Sequence, residues 1–230
     1  MAATLKKLHS DFSVDCVVFG FDEGELKILL IDRNEAPFKE WKAIPGNLVA
    51  KSEDIDHAAS RVLYELTGLK DVYQEQLYTF GKVNRHPQGR VITVAYYSII
   101  RRTEDGLHPM SSFAREAYWW PANDLPKLAF DHNEIAEKAL QRLREKILVE
   151  PIGFELLPKE FTLTQLQHVY EAITGEDVDK RNFRKRILGS DLLKQLNKKQ
   201  AGVAHRAAYL YTFNEKKYKK LKNQGMIFGI

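Results

Sequence analysis

Residues 54–67, "DIDHAASRVLYELT", carry a clean helical period and lie between two pairs of β-rich runs. Ile55, Ala59, Val62 and Leu66 fall at i, i+4, i+7 and i+11, so they share one helix face. Gly68 follows where a left-handed C-cap is wanted. Upstream, residues 13–21 and 26–32 are joined by "DEGE", a hairpin signal. Downstream, "YTFGKV" at 78–83 and "RVITVAYYSIIRR" at 90–102 read as further strands. A helix with one apolar face must bury it against another layer, so this order predicts an α/β layered domain. A second helix begins at "FDHNEI", with Asp131 as its cap and Glu134 completing a capping-box-like pattern. Its Ile135, Ala139, Leu143 and Ile147 recur every four residues. The first domain is therefore expected to span residues 1–150.

The remainder, residues 151–230, differs in charge. The net +4 of the chain combines +7 from Pro151 onward (15 Lys+Arg against 8 Asp+Glu) with −3 over the first 150 residues. From Lys180 to the C-terminus, 14 basic residues face only Asp191 and Glu215. A lysine-rich helix is commonly just a solvated face, but so long a near-absence of acids points to a polyanion partner. "TLTQLQHVYEAITG" predicts a helix with Leu163, Leu166, Val169, Tyr170 and Ile173 on one stripe and Gly175 at its end. Asp179 caps "KRNFRKRIL", whose inward residues are Phe183 and Ile187. A Lys-rich stretch and the alternating "HRAAYLYTF" then read as a β-hairpin. Helix, turn, cationic helix and hairpin is the order of a winged helix-turn-helix.

Composition excludes other classes. Hydrophobic content of 44% and charged content of 29% describe a folded chain rather than a disordered one. The one cysteine, Cys16, lies in the apolar run "VDCVVFGF", so no disulfide framework forms within the chain and a reducing cytoplasm fits. "MAATLKKLHSDFSVD" has no apolar stretch long enough for a signal peptide, and no window approaches a membrane span. A cytoplasmic location with no membrane partner is expected.

A specific resemblance joins the two halves. "PGNLVAKSEDIDHAASRVLYELTGL" resembles the Nudix signature G-x5-E-x7-R-E-U-x-E-E-x-G-U. Gly46, Glu53, Arg61, Leu63, Glu65, Gly68 and Leu69 match if one residue is inserted before Glu53. "EWKAIPGN" resembles the usual approach to it, with Asn47 in place of a glycine. In that superfamily the helix carries glutamates that hold magnesium and activate water against a pyrophosphate. Magnesium takes hard oxygen ligands in near-octahedral geometry, so those positions must be carboxylates. Here Val62 and Leu66 occupy two of them, and the remaining Glu65 sits one turn from Arg61, as in a structural ion pair. Together with "YTFGKVNRHPQGRVITVAYYSII", "LAFDHNEIAEKALQRLREK" and "FTLTQLQHVYEAITGEDVDKRNFRKRIL", the pattern is similar to the Nudix-related transcriptional regulators over most of residues 10–215. The resemblance implies a Nudix-like effector domain followed by a winged helix, acting as a dimeric repressor of NAD-metabolism or sugar-catabolism genes. Some members answer to ADP-ribose and others to pentoses.

Candidate residues follow. Asp15, a lone acid in an apolar strand, either meets a partner such as an arginine or lines a polar pocket. By the Nudix resemblance, Arg33, Trp41, Lys42 and Asn47 line the cleft, with Glu65 beside them. Tyr96 and Tyr97 read as core, and His86 and His132 as surface or cap residues. No metal-ligand spacing is present among the histidines, and with Val62 and Leu66 in place of two clustered carboxylates no metal, no cofactor and no catalytic residue is expected. On the cationic helix, Lys180, Arg181, Asn182, Arg184 and Lys185 form the DNA-facing set, with Arg181 and Arg184 suited to guanine and Asn182 to adenine. Lys198, Lys199 and Arg206, in and near the hairpin, complete that set, the two lysines acting mainly through phosphate.

Three functions compete at this point. A ligand-sensing transcription regulator, binding operator DNA as a homodimer, fits both halves. A Nudix pyrophosphohydrolase with a basic tail fits the fold but lacks two carboxylates. An RNA-binding protein fits the charge, yet no RNA-recognition module is legible. A pyrophosphate carries about two negative charges that Arg or Lys must offset without magnesium, and Glu65 and the −3 of the first domain work against that. A neutral sugar needs polar groups against an aromatic floor, which Asp15, Arg33, Lys42, Asn47 and Trp41 could supply. The expected effector is therefore a small sugar, a pentose such as arabinose or xylose, with ADP-ribose as the alternative.

Overall fold

The structure, a computed structural model, describes residues 8–22, 24–101, 107–202, 207–224 and 228–229. Two compact units result, one of Met1–Gly20 and Lys27–Gln141, the other of Phe21–Leu26 and Arg142–Ile230. Among the described residues no helix is long and apolar enough to cross a membrane.

Apart from the β1 and β2 ends at residues 21–26, the first unit is built on β1 (Leu8–Asp22), β2 (Glu25–Arg33), β3 (Lys42–Ala43), β4 (Gly46–Ala50), β5 (Glu75–Phe80), β6 (Ile92–Arg101) and β7 (Ala114–Pro121). They form one sheet whose main path runs β3-β2-β1-β6-β5, with β4 added on β1 and β7 on β2. In β1 and β2, Val14, Cys16, Val18, Leu29 and Ile31 belong to one buried cluster, and their alternates Val17, Phe19, Ile28 and Leu30 are buried too. Successive strand residues face opposite sides, so both faces of the sheet are covered, which explains runs of unbroken hydrophobicity. The helix α1 (Ile55–Thr67) supplies Ala58, Ala59, Val62, Leu63 and Leu66 to that cluster. It ends as its sequence predicts: Gly68 has φ 81° and donates to the Tyr64 carbonyl at 2.8 Å. The stripe differs at its first position, because Ile55 stays 38% exposed at the helix start.

The second helix, α2 (His132–Val149), buries Ile135, Ala139, Leu143 and Ile147 as expected. Asp131 does not serve it as the capping box predicts. Its carboxylate turns to Arg85, and Glu134 pairs with Lys82 at 2.7 Å. The strand β7 and the short β3 and β4 were not legible in the sequence. The strand expected at 78–83 lies at 75–80, because "GKV" already belongs to the following loop.

In the second unit a 3-10 turn (Ile152–Leu156) precedes α3 (Leu163–Thr174), α4 (Lys180–Gly189), the antiparallel hairpin β8 (Leu193–Lys199) and β9 (Tyr209–Phe213), and α5 (Glu215–Asn223). Thr162 and Gln165 close a reciprocal capping box on α3, and all five residues of its stripe are buried. Asp179 accepts from the Asn182 backbone at 2.7 Å, so the cap of α4 is as predicted. Phe183 and Ile187 are buried, and the Phe183 ring meets Tyr170 of α3 at 5.2 Å. Phe161 bridges to Tyr211, joining the start of α3 to the hairpin. This is a winged helix-turn-helix. The helix α5 has no buried residue, hence no apolar stripe by which sequence could announce it. Arg206 lies outside the described residues.

Candidate functional site

In the first unit a cavity of about 400 Å³ opens where β1 and β4 meet the loops after β2 and β5. The register of these strands sets it up. Asp15 stands opposite Gly46, and a Cβ at Gly46 would lie 1.9 Å from the Asp15 carboxylate. Asp15 is buried, and both readings of it hold: it lines the cavity and it has partners. Its Oδ2 is 3.4 Å from Arg85 Nη2, and its Oδ1 is 3.4 Å from His132 Nε2. His132 Nδ1 accepts from the Ile44 N–H at 3.0 Å, so in the neutral ring Nε2 carries the proton toward Asp15. Burial holds the His132 pKa below its ordinary value, which keeps the ring neutral. The expectation of a surface or cap residue fails here, since His132 is 3% exposed.

Arg85 makes a two-pronged contact with Asp131, at 2.9 Å from Nε and 2.7 Å from Nη2. Arg33 is buried at the end of β2, donates to the Pro37 carbonyl at 3.1 Å, and stands over the Phe130 ring at 4.9 Å. Phe130 sits at φ 54°, a left-handed conformation that costs a non-glycine residue about 1–3 kcal/mol. Neighbours hold it there: His86 stacks on it at 5.1 Å and 14°, and Phe38 meets it edge-on at 4.7 Å. His86, read from sequence as a surface or cap residue, thus lines the cavity, with its pKa lowered first by burial and then by Arg85. Arg90 and Phe113 complete the polar and apolar walls.

Of the effector residues expected from sequence, Asp15, Arg33 and Asn47 line this cavity and three do not. Trp41 packs on Phe38 beneath Lys127 and does not line it. Lys42 pairs with Asp32 at 3.3 Å and lies over Tyr118 and Trp120. Adjacent strand residues point to opposite faces, so Arg33 inward puts Asp32 on the other side, with Lys42 opposite it in β3. Glu65 pairs with Arg61 at 2.9 Å, as the ion-pair reading predicts. Arg61 also forks onto Glu53 at 2.6 and 2.9 Å and donates to the Leu48 carbonyl, clasping α1 to β4. Sequence reasoning missed Arg85 and Arg90. Their signal was "NRHPQGR", a loop with three basic or imidazole side chains that looked like a mere connection.

These positions do not fit the magnesium of a Nudix hydrolase. Val62 and Leu66 are fully buried among apolar side chains, and Glu53 and Glu65 are turned to Arg61. Among the described residues no group of three or more His, Cys, Asp or Glu could hold a metal ion. The cavity instead gathers Arg33, Arg85 and Arg90 against one lining carboxylate, Asp15. Counting Asp131, which pairs with Arg85, three cations still face two carboxylates, and that surplus removes the premise of the pentose expectation, which assumed a cleft short of cations.

In the second unit α4 exposes Lys180, Arg181, Asn182 and Lys185. Arg184 departs from the set, being half-buried and turned back to donate to Thr164 Oγ1 at 3.2 Å. At the hairpin, Lys198 pairs with Glu160 at 2.8 Å, while Lys199 lies over the Tyr209 ring at 4.9 Å.

Comparison with known proteins agrees with this division. The NUDIX domain family matches residues 9–143, and the NrtR DNA-binding winged helix domain family matches residues 153–213. The chain is 33% identical over 205 residues to the "ADPR responsive transcriptional repressor NtrR" of Acinetobacter baylyi, covering 87% of this chain and 81% of that protein. The crystal structure of Shewanella oneidensis NrtR with a 27mer DNA superposes with a TM-score of 0.73 at 31% identity, covering 88% of this chain and 93% of the other. The NUDIX domain of that NrtR, solved with ADP ribose, gives 0.54 at 31% identity over 59% of this chain and 89% of the other. A pentose effector finds no support among these relatives. The chain belongs to the Nudix-related transcriptional regulators, in which a NUDIX domain is joined to an NrtR-type winged-helix DNA-binding domain.

Proposed function

We propose that this chain is a repressor that binds operator DNA as a homodimer, releases it in response to ADP-ribose, and hydrolyses none. The observation that carries the effector is the cavity in which Arg33, Arg85 and Arg90 outnumber Asp15 and the Asp131 that pairs with Arg85. A pyrophosphate brings about two negative charges into a site, and fixed guanidinium groups with forked donors match phosphate oxygens without a metal. The volume of about 400 Å³ lies within the range of small-molecule sites, and Phe113 and Phe130 give an apolar wall. The names of the relatives support the same ligand, one called ADPR responsive and one solved with ADP ribose. Loss of hydrolysis follows from the apolar burial of Val62 and Leu66. Dimerisation follows from how a small helix-turn-helix module reaches useful affinity, through two symmetric half-sites. By linkage, an effector that releases operator binds the DNA-free protein more tightly, and operator weakens effector binding by the same factor.

Calorimetry tests this with ADP-ribose and, separately, AMP and free ribose. ADP-ribose should bind without magnesium, and Arg85→Ala should weaken it at least tenfold. Binding of ribose with no response to ADP-ribose would sink the reading, as would magnesium-dependent turnover of ADP-ribose above a heat-killed control.

A further inference from the structure

A second cleft, of about 690 Å³, opens in the winged-helix unit between the first turns of α3, the N-terminal half of α4 and the turn end of the hairpin, where Lys199 pairs with Tyr209. Three of its lining side chains are the cations Lys180, Arg184 and Lys199, and none is a carboxylate. Arg184 is anchored within it by Thr164 Oγ1. Its Nε is shielded from solvent with no hydrogen-bond partner among the described residues, a rare condition for a buried donor. The hairpin strand sorts its lysines by face. Lys199 lines the cleft, whereas the adjacent Lys198 pairs with Glu160 and does not.

We infer that this cleft seats one phosphodiester of the DNA strand that passes between the recognition helix and the wing. The inference rests on the DNA-binding reading above and adds to it a division of labour. With α4 in the major groove and the hairpin over the neighbouring backbone, one strand must run between them, and the cleft lies there. A phosphate offers only acceptors, and the cleft offers Arg, Lys and hydroxyl donors with no opposing acid. Arg184 therefore holds the backbone, and base reading falls to Arg181 and Lys185, which share an outer face of α4 at i, i+4. This reverses the role that sequence alone gives Arg184, and it withdraws the phosphate contact that sequence alone gives Lys198, whose ammonium pairs with Glu160 instead.

Salt titrations of DNA binding by the full chain test the seat, from about 50 to about 200 mM KCl. Two duplexes are used, one of arbitrary sequence and one operator recovered by selection from random DNA. Removing one cation that neutralises a phosphate lowers the slope of log Kd against log salt by about 0.9. Arg184→Ala and Lys199→Ala should each show that reduction, equally on both duplexes. Lys198→Ala should leave the slope at its wild-type value, although it removes the same charge one residue away. Equal slopes for the two lysine variants would overturn the seat, as would an Arg184→Ala effect confined to the operator. Lys199 is exposed, so its comparison with Lys198 stands even if Arg184→Ala fails to fold. If the wild type showed no preference for the selected operator, the repressor reading would fail, while the slopes on arbitrary duplex would still judge the seat.

Discussion

Replacing Val62 with glutamate restores one carboxylate of the Nudix signature, and the structure says what that carboxylate would meet. Val62 is 0% exposed in a cluster that includes Cys16, Leu29, Val94 and Tyr96. A glutamate buried in such surroundings has a pKa of about 8–9 instead of about 4.3. At pH 7 the folded protein must then hold it protonated, while the unfolded chain ionises it freely. The unfolded pKa lies about 2.7 units below pH 7, and at about 1.36 kcal/mol per unit this makes a penalty of about 3.7 kcal/mol at pH 7 from ionisation alone. The sign is fixed: a folded pKa raised above the unfolded one means stability is lost as pH rises from about 4.3 toward the folded value. Urea unfolding of Val62→Glu against Val62→Gln at about pH 5 and about pH 7 isolates this part, because glutamine brings the polar group without the charge. The gap between the two variants should widen by about 2–3 kcal/mol between those pH values, and Val62→Glu should remain inactive with magnesium and ADP-ribose. A gap that is the same at both pH values, or magnesium-dependent turnover, would show that position 62 faces a solvated metal site.

Two further outcomes follow from the cavity. Gly46→Ala places a methyl group 1.9 Å from the Asp15 carboxylate, so Asp15 must leave Arg85 and His132. Overpacking of this kind costs about 1–3 kcal/mol, and thermal unfolding should show it together with weakened ADP-ribose binding; an unchanged midpoint would mean the strands separate without penalty. His132, neutral and buried, has its folded pKa depressed, so its contribution to stability is present above about pH 6.5 and is lost as pH falls. Between about pH 7 and about pH 5 the wild type should therefore lose more stability than His132→Gln, and parallel curves would refute the burial argument.

Much of the fold was legible because it depends on local signals. The period of α1, the glycine that ends it, the Asp179 cap and the Phe183–Ile187 stripe of α4 are each written within about one or two turns of helix. The loss of magnesium ligands was legible for the same reason, since Val62 and Leu66 share a face with Ala59 whatever the tertiary structure. β7 was harder to see. "AREAYWWP" alternates poorly, with exposed Arg115 and Glu116, and becomes a strand through its pairing with β2. The strand propensity of such a segment depends on its neighbours.

What the chain encodes locally is therefore the layered α/β unit, the winged helix and the absence of a carboxylate cluster on α1. Which charges meet in the cavity was decided by tertiary structure alone. Asp15, Arg33, Arg85 and His132 come from segments far apart in sequence, and strand register and loop closure bring them together. A loop has no period, so nothing in "NRHPQGR" distinguishes an arginine that ends in a cavity from one that stays in water. The same holds for Lys42 and Arg33, Lys198 and Lys199, Arg184 and Arg181: each pair reads alike as charge, and only the face on which packing places each side chain separates them. A side chain's charge is a property of the residue, but the groups it meets depend on non-local packing, and it was that packing which moved the expected ligand from a neutral sugar to an anion.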